Sequence, residues 1–223
     1  MAAGRLLFVD GGRCVNLFRI FLAVLLAASG FAAQAQALPK PKEFYFDADA
    51  GTARKIVAAQ GEGEALAAEL IKMRERSRKS VEATAQLAHV AMSGNRTDLG
   101  KTLYTEAVGA TQANSSIGRA IRWNYAWDLY KHGEVAPALA FWAELAGGFG
   151  QPAWVPPTLA LALWSADRKT DAVKWYAAAV RTEPNLWSDP ANYPALLPDW
   201  REEDRKRLAE VYAAWAANPP AWP

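Results

Sequence analysis

Hydrophobic residues in this chain recur mainly at spacings of three and four, which is the period of an α-helix. Residues 115–131 show this most clearly, because they carry two apolar stripes instead of one. The first stripe is aromatic and consists of Trp123, Trp127 and Tyr130, at positions i, i+4 and i+7. The second includes Tyr125 and is expected to pack inward. This segment is therefore predicted to be a helix that is apolar over more of its surface than one contact requires.

Two further segments have the pattern of amphipathic helices and lie towards the ends of the chain. Residues 61–76 and 199–216 each combine an apolar stripe with many charged residues. Proline-rich stretches at 148–157 and 188–199 predict loops. The chain is therefore expected to be all-α.

Residues of matching size recur 34 positions apart. The first members of this repeat are Ala126, Leu129, Ala138, Trp142 and Leu145, and their counterparts are Ala160, Leu163, Ala172, Tyr176 and Ala179. A weaker upstream copy, shifted by four extra residues near the loop 112–118, consists of Ala88, Ala91, Gly100, Tyr104 and Ala107. Small residues let two helices approach closely while the aromatic residue fills the next gap. Each copy is therefore predicted to be a pair of antiparallel helices.

These residue classes and their spacing resemble the signature of the tetratricopeptide repeat family. The chain departs from that signature where Leu145 replaces an alanine and Gly150 a closing proline. The resemblance implies a short right-handed superhelical solenoid of antiparallel helix pairs with capping helices. The chain is then divided into an N-terminal extension (38–60), a helical repeat domain (61–217) and a tail (218–223). Within the repeat domain, the repeats lie at about 80–111, 119–150 and 153–185, and the C-terminal capping helix spans 199–217.

In this family, the first helix of each pair lines a concave groove. The residues that the resemblance places there as a binding site are Trp123, Trp127, Tyr130, Trp154 and Trp164. Two interpretations remain open: the termini or proline-rich loops cover these rings, or an open groove binds an extended peptide or a sugar ring. The family's charged clamp for a peptide carboxylate is missing, since its positions hold Ala85, His89, Trp123 and Trp127. Tyr176 falls at a packing position and is expected in the core.

Residues 1–37 are predicted to be a secretory signal peptide. An apolar run from Ile20 to Ala28 follows Arg19 and precedes small residues that predict cleavage near Ala35 or Ala37. The run is too short to span a membrane, so we expect a periplasmic or secreted protein without stable membrane insertion after cleavage. A compact signal beginning at Val15 indicates that translation starts there.

Loss of this segment changes the charge of the chain. The segment contains three arginines and one aspartate of the 25 basic and 23 acidic residues, so 22 of each remain. A neutral chain gives no reason to expect a nucleic-acid partner. The single cysteine, Cys14, is lost too, so no disulfide is expected.

No motif in the sequence predicts catalysis, a metal or a cofactor. His89 and His132 are the only histidines, and no spacing of carboxylates around them indicates a zinc site. We therefore expect a non-catalytic protein–protein interaction scaffold or adaptor of the cell envelope. One alternative is a binder of cell-wall glycan or peptide through the aromatic groove; another is an envelope hydrolase whose carboxylates cannot be identified from the sequence.

Overall fold

The computed structural model describes residues 38–42, 51–147 and 152–221, and the predicted signal peptide lies outside them. Within these ranges the chain forms ten α-helices and one 3-10 turn, with no β-strand, as the hydrophobic pattern predicted. The helices are α1 (Gly63–Arg76), α2 (Ser80–Ser93), α3 (Thr97–Gly109), α4 (Ser116–Lys131), α5 (Val135–Ala146), α6 (Val155–Ser165), α7 (Lys169–Thr182), α8 (Pro184–Trp187), α9 (Tyr193–Leu196) and α10 (Glu202–Ala217).

From α1 to α8, each helix packs against the next one in the chain. The most extensive contacts join α2 to α3, α4 to α5 and α6 to α7. Further contacts link α2 with α4, α3 with α4, and α5 with α6, so each of these pairs touches the next. The last helix, α10, packs against α6 and α7, and the first, α1, packs against α2.

The turns inside the three pairs have the same backbone geometry. Each has one residue with a positive φ: Asn95 (58°), Gly133 (82°) and Asp167 (59°). In each turn the next residue donates its backbone N–H to a carbonyl five residues earlier: Arg96 to Ala91, Glu134 to Leu129, and Arg168 to Leu163. This is the Schellman arrangement, which ends a helix with a left-handed residue. The turns are 38 and 34 residues apart, the same offsets as between the copies read from the sequence.

The small residues of the sequence repeat are buried. The alanines at these positions are fully buried: Ala88, Ala126, Ala138, Ala160 and Ala172. In the first pair the position on α3 is Gly100, which is also buried. A Cβ atom there would lie 2.2 Å from Cγ of Met92 and 3.0 Å from the carbonyl oxygen of Ala88. Helices α2 and α3 are therefore too close for any side chain at this position.

The aromatic residues of the repeat fill the core between the helices. Tyr104, Trp142 and Tyr176 are fully buried, which confirms the expectation for Tyr176. Its neighbour Trp175 is also buried, with 1% of its surface exposed. Leu208 and Val211 of α10 are fully buried as well. None of the described helices is long and apolar enough to cross a membrane.

Candidate binding site

The five aromatic residues predicted to line a groove differ in exposure. Trp127 and Tyr130 are buried, with 6% and 4% of their surfaces exposed. Trp123, Trp154 and Trp164 are half-buried and pack against the core. The stripe on α4 is therefore accessible only at its Trp123 end.

Residues from the C-terminal part of the chain cover the rest of this stripe. The indole of Trp200, just before α10, packs edge-on against that of Trp127, with ring centroids 5.0 Å apart. Trp142 of α5 makes a similar contact with Trp127, also at 5.0 Å. The hydroxyl of Tyr130 lies 2.9 Å from Oγ of Ser165 and accepts a hydrogen bond of 3.1 Å from Nη1 of Arg207. For Trp127 and Tyr130, the structure therefore agrees with the interpretation that another part of the chain covers the stripe.

Trp164 lies apart from the other four aromatic residues. Its indole Nε1 donates a 2.8 Å hydrogen bond to Oε2 of Glu210 on α10, and Nζ of Lys169 lies 3.8 Å above its ring. It borders a separate depression formed by the start of α7 and the end of α10. The predicted residues therefore do not form one continuous surface.

Trp123 and Trp154 come together in a cavity of about 350 Å³, which we call the apolar cleft. Most of its lining is aromatic, aliphatic or proline: Trp123, Trp154, Trp187, Trp200, Pro157, Leu186, Leu196, Leu197 and Pro198. Glu183 and Asp199 are the charged groups among the described residues of its lining, and both are acidic. This cleft can therefore accept apolar side chains.

A second cavity, of about 520 Å³, lies between α2, α4 and the loop 55–63, and we call it the polar cavity. Its polar wall contains His89 and Ser93 of α2, together with Asp128 and Lys131 of α4. Trp123, Trp127 and Trp200 form part of its apolar lining. Trp123, Trp200 and Asp199 border both cavities, which are therefore neighbours.

Asp128 is the centre of a hydrogen-bonded group in the polar cavity. It is 97% buried, and its carboxylate accepts a 2.7 Å hydrogen bond from the hydroxyl of Tyr104 on α3. Nδ1 of His89 lies 2.9 Å from Oδ2 and 3.0 Å from Oδ1 of the same carboxylate. Burial and the adjacent Asp128 carboxylate hold the pKa of Tyr104 well above its usual value, so Tyr104 remains a donor.

These contacts determine how His89 can act. A carboxylate only accepts, so Nδ1 of His89 carries the hydrogen that Asp128 binds. In the described part of the chain Nε2 has no partner, and 52% of the His89 side chain is exposed. Nε2 therefore accepts a hydrogen bond when the ring is neutral and donates one when it is charged.

Specific contacts hold the loop that closes the polar cavity. Oε1 of Gln86 accepts backbone hydrogen bonds from Ala58 (2.7 Å) and Ala59 (3.0 Å), and its Nε2 donates to the Ala59 carbonyl at 2.8 Å. Lys55 forms an ion pair of 2.5 Å with Asp199, which joins the loop to the C-terminal segment. The rim is thus built from both ends of the described chain.

Sequence reasoning did not identify this group. The sequence pattern places His89 at a position of the family's charged clamp and Tyr104 at a packing position, and it singles out neither Asp128 nor Tyr104 for chemistry. One signal was available: Asp128 is an acidic residue flanked on both sides by apolar residues in the segment NYAWDLYK, and a buried charge needs partners.

The described residues contain no group of three or more histidine, cysteine, aspartate or glutamate side chains that could hold a metal ion. No protein-family model matches the chain, and no curated protein or solved structure shows significant similarity to it.

Proposed function

We propose that this protein is a non-catalytic interaction scaffold or adaptor of the cell envelope, which binds another protein through the apolar cleft. The proposed architecture is a short right-handed solenoid of antiparallel helix pairs, similar to tetratricopeptide repeats. The three equivalent turns at Asn95, Gly133 and Asp167 support this architecture, because they repeat one helix reversal at the spacing of the sequence copies. The proposed periplasmic or secreted location rests on the signal-like residues 1–37.

The apolar cleft is the observation that carries the proposal. Four tryptophans line it, and tryptophan is among the residues most enriched in the energetically dominant parts of protein interfaces. Leu186, with 38% of its surface exposed, extends the apolar surface at the edge. Since its lining is mostly aromatic and aliphatic, and its carboxylate Asp199 is already paired with Lys55, the partner is expected to present an extended apolar segment.

Glycan binding is the weaker alternative, since stacking on a sugar needs an exposed indole face and only 6% of the surface of Trp127 is exposed.

Capture of partners from an envelope fraction tests the proposal. The protein, purified from cells expressing the full chain, is immobilised and compared with Trp123→Ala and Trp154→Ala. Each substitution is expected to reduce capture of a specific protein by about tenfold or more. Trp164→Ala is the matched control, because it removes a half-buried indole outside the cleft.

Thermal unfolding of all three variants shows whether they remain folded. If folded Trp154→Ala and Trp123→Ala retain full capture, the apolar cleft is not the interface. A change in tryptophan fluorescence with cell-wall sugars that both cleft variants abolish would instead favour the glycan alternative.

A further inference from the structure

The wall of the polar cavity formed by α2 and α4 has hydrogen-bonding capacity that the fold does not use. Both carboxylate oxygens of Asp128 are occupied by His89 and Tyr104. Nε2 of His89 and Nζ of Lys131 make no hydrogen bond or ion pair with the described residues, although both border the cavity. Lys131 follows Asp128 by three residues and therefore lies on the same side of α4. The two groups on this wall that can still form hydrogen bonds, in His89 and Lys131, can both carry a positive charge.

The remaining lining shows what else a ligand must satisfy. Trp123 and Trp127 have buried indole N–H groups without an acceptor. An unpaired buried N–H is unfavourable, and a ligand oxygen brought near it by a small movement of a ring would remove that cost. Apolar side chains, among them Ile56, Leu66 and Val90, supply much of the rest of the surface.

Charge places a further condition on the ligand. The charged residues that face the cavity are Lys55, Glu62, Asp128, Lys131 and Asp199. Lys55 and Asp199 pair with each other. With a neutral His89 the lining has one more negative than positive group, and protonation of His89 balances it. An anion is therefore bound most favourably together with a proton on His89.

From these observations we infer that the polar cavity binds a small amphiphilic carboxylate, held by Nε2–H of a protonated His89 and by Lys131. Asp128 and Tyr104 position and stabilise the imidazolium, and the tryptophan wall accepts the apolar body. A volume of about 520 Å³ suits a small molecule. This site goes beyond the proposed protein interface, because its polar groups belong to a different cavity.

Octanoate, octanamide and octylamine are the probes, since they share a chain and differ in the head group. Titration calorimetry on the protein from the full chain is expected to show octanoate binding at least about tenfold more tightly than octanamide, because a charge-assisted hydrogen bond is lost with the amide. Heats measured in two buffers should show proton uptake.

Variants of the two donors identify the site. His89→Gln and Lys131→Gln are each expected to weaken octanoate binding about tenfold, and His89→Gln should also abolish the proton uptake. Lys72→Gln is the control, because it removes an exposed lysine outside the cavity. Circular dichroism checks folding, and Lys131→Gln still tests the site if His89→Gln does not fold.

Three results would overturn the inference. The first is that octanoate does not bind even at millimolar concentration. The second is that octanamide or octylamine binds as tightly as octanoate or more tightly, and the third is that neither donor variant changes octanoate binding. Trp154→Ala, which affects the apolar cleft alone, separates this test from that of the interface: it should leave octanoate binding intact.

Discussion

The indole rings of Trp127 and Trp200 meet edge to face, with centroids 5.0 Å apart and an angle of 66° between their planes. These residues are far apart in the sequence, and their contact brings the start of the C-terminal helix onto the aromatic stripe of α4. Edge-to-face pairs add favourable energy beyond the area that they bury. The contact therefore helps to hold the C-terminal segment over the stripe, beside both cavities.

Trp200→Ala is expected to expose Trp127 and to lower the free energy of unfolding by about 2 kcal/mol, less than for a fully buried tryptophan because Trp200 is half-buried. Acrylamide should then quench a larger fraction of the remaining tryptophan emission. The double variant Trp200→Ala/Trp127→Phe identifies the source, because the extra quenching should vanish with Trp127. Quenching that stays at the wild-type level in Trp200→Ala would show that other residues cover the ring.

Two glycines of α3 are expected to respond to alanine in opposite ways. At Gly100 the new Cβ would clash with Met92 and with the backbone of Ala88, so Gly100→Ala should lower the free energy of unfolding by about 1–3 kcal/mol. At Gly109 an added Cβ would point into open space, so Gly109→Ala should raise the free energy of unfolding by about 0.5 kcal/mol through helix propensity. Urea unfolding of both variants measures the difference, and equal effects would contradict the close approach of α2 and α3.

The left-handed turn at Gly133 provides a test of backbone conformation alone. Its φ is 82°, and an added Cβ would meet nothing within 4 Å. Gly133→Ala should therefore cost about 1 kcal/mol of the free energy of unfolding, because only the left-handed conformation opposes it. Asn95→Gly, in the equivalent turn, preserves that conformation and should stay within about 0.5 kcal/mol of wild type. Chemical unfolding measures both, and a neutral Gly133→Ala would show that the turn adapts.

Buried tyrosines make the fold sensitive to alkaline pH. The hydroxyl of Tyr176 donates to the Trp187 carbonyl at 2.6 Å and lies 2.5 Å from the hydroxyl of Tyr193, which therefore donates to it. Burial raises the pKa of Tyr176 to about 12, and burial together with the hydrogen bond to Tyr176 raises the pKa of Tyr193.

An unfolded tyrosine has a pKa of about 10, so above that pH the unfolded chain loses protons that the folded chain retains. The stabilisation is complete below about pH 10 and is lost as the pH rises towards 12. Urea unfolding between about pH 8 and about pH 11 should show this decline, and Tyr193→Phe should make it shallower. Tyr212→Phe, a half-buried tyrosine next to the pair, is the control. A stability that does not fall above pH 10 would contradict the burial of the two phenols.

The sequence alone predicted the all-α class, the small buried residues of the repeat and the burial of Tyr176. Its prediction of loops at 148–157 and 188–199 was wrong in part, because α6 begins at Val155 and α9 spans Tyr193–Leu196. Proline is compatible with the first turn of a helix, so a proline-rich stretch does not exclude a helix start. The spacing of hydrophobic residues, the size of each side chain and the residues in the turns can all be read from short stretches of sequence. Helix formation and the packing of consecutive helices depend directly on these local properties. For the same reason the offsets of 38 and 34 residues reappear in the turns at Asn95, Gly133 and Asp167.

Only the tertiary structure decided which aromatic residues are accessible and where the polar groups converge. The hydrophobic pattern of α4 does not distinguish Trp123 from Trp127 and Tyr130. In the structure, Trp200 packs on Trp127 and Arg207 contacts Tyr130, and both come from a distant part of the chain. His89, Tyr104 and Asp128 come from three different helices, and no local spacing relates them. Helical periodicity shows which face of a helix is apolar, but it cannot show which distant segment packs on that face, because that depends on how all the helices fit together.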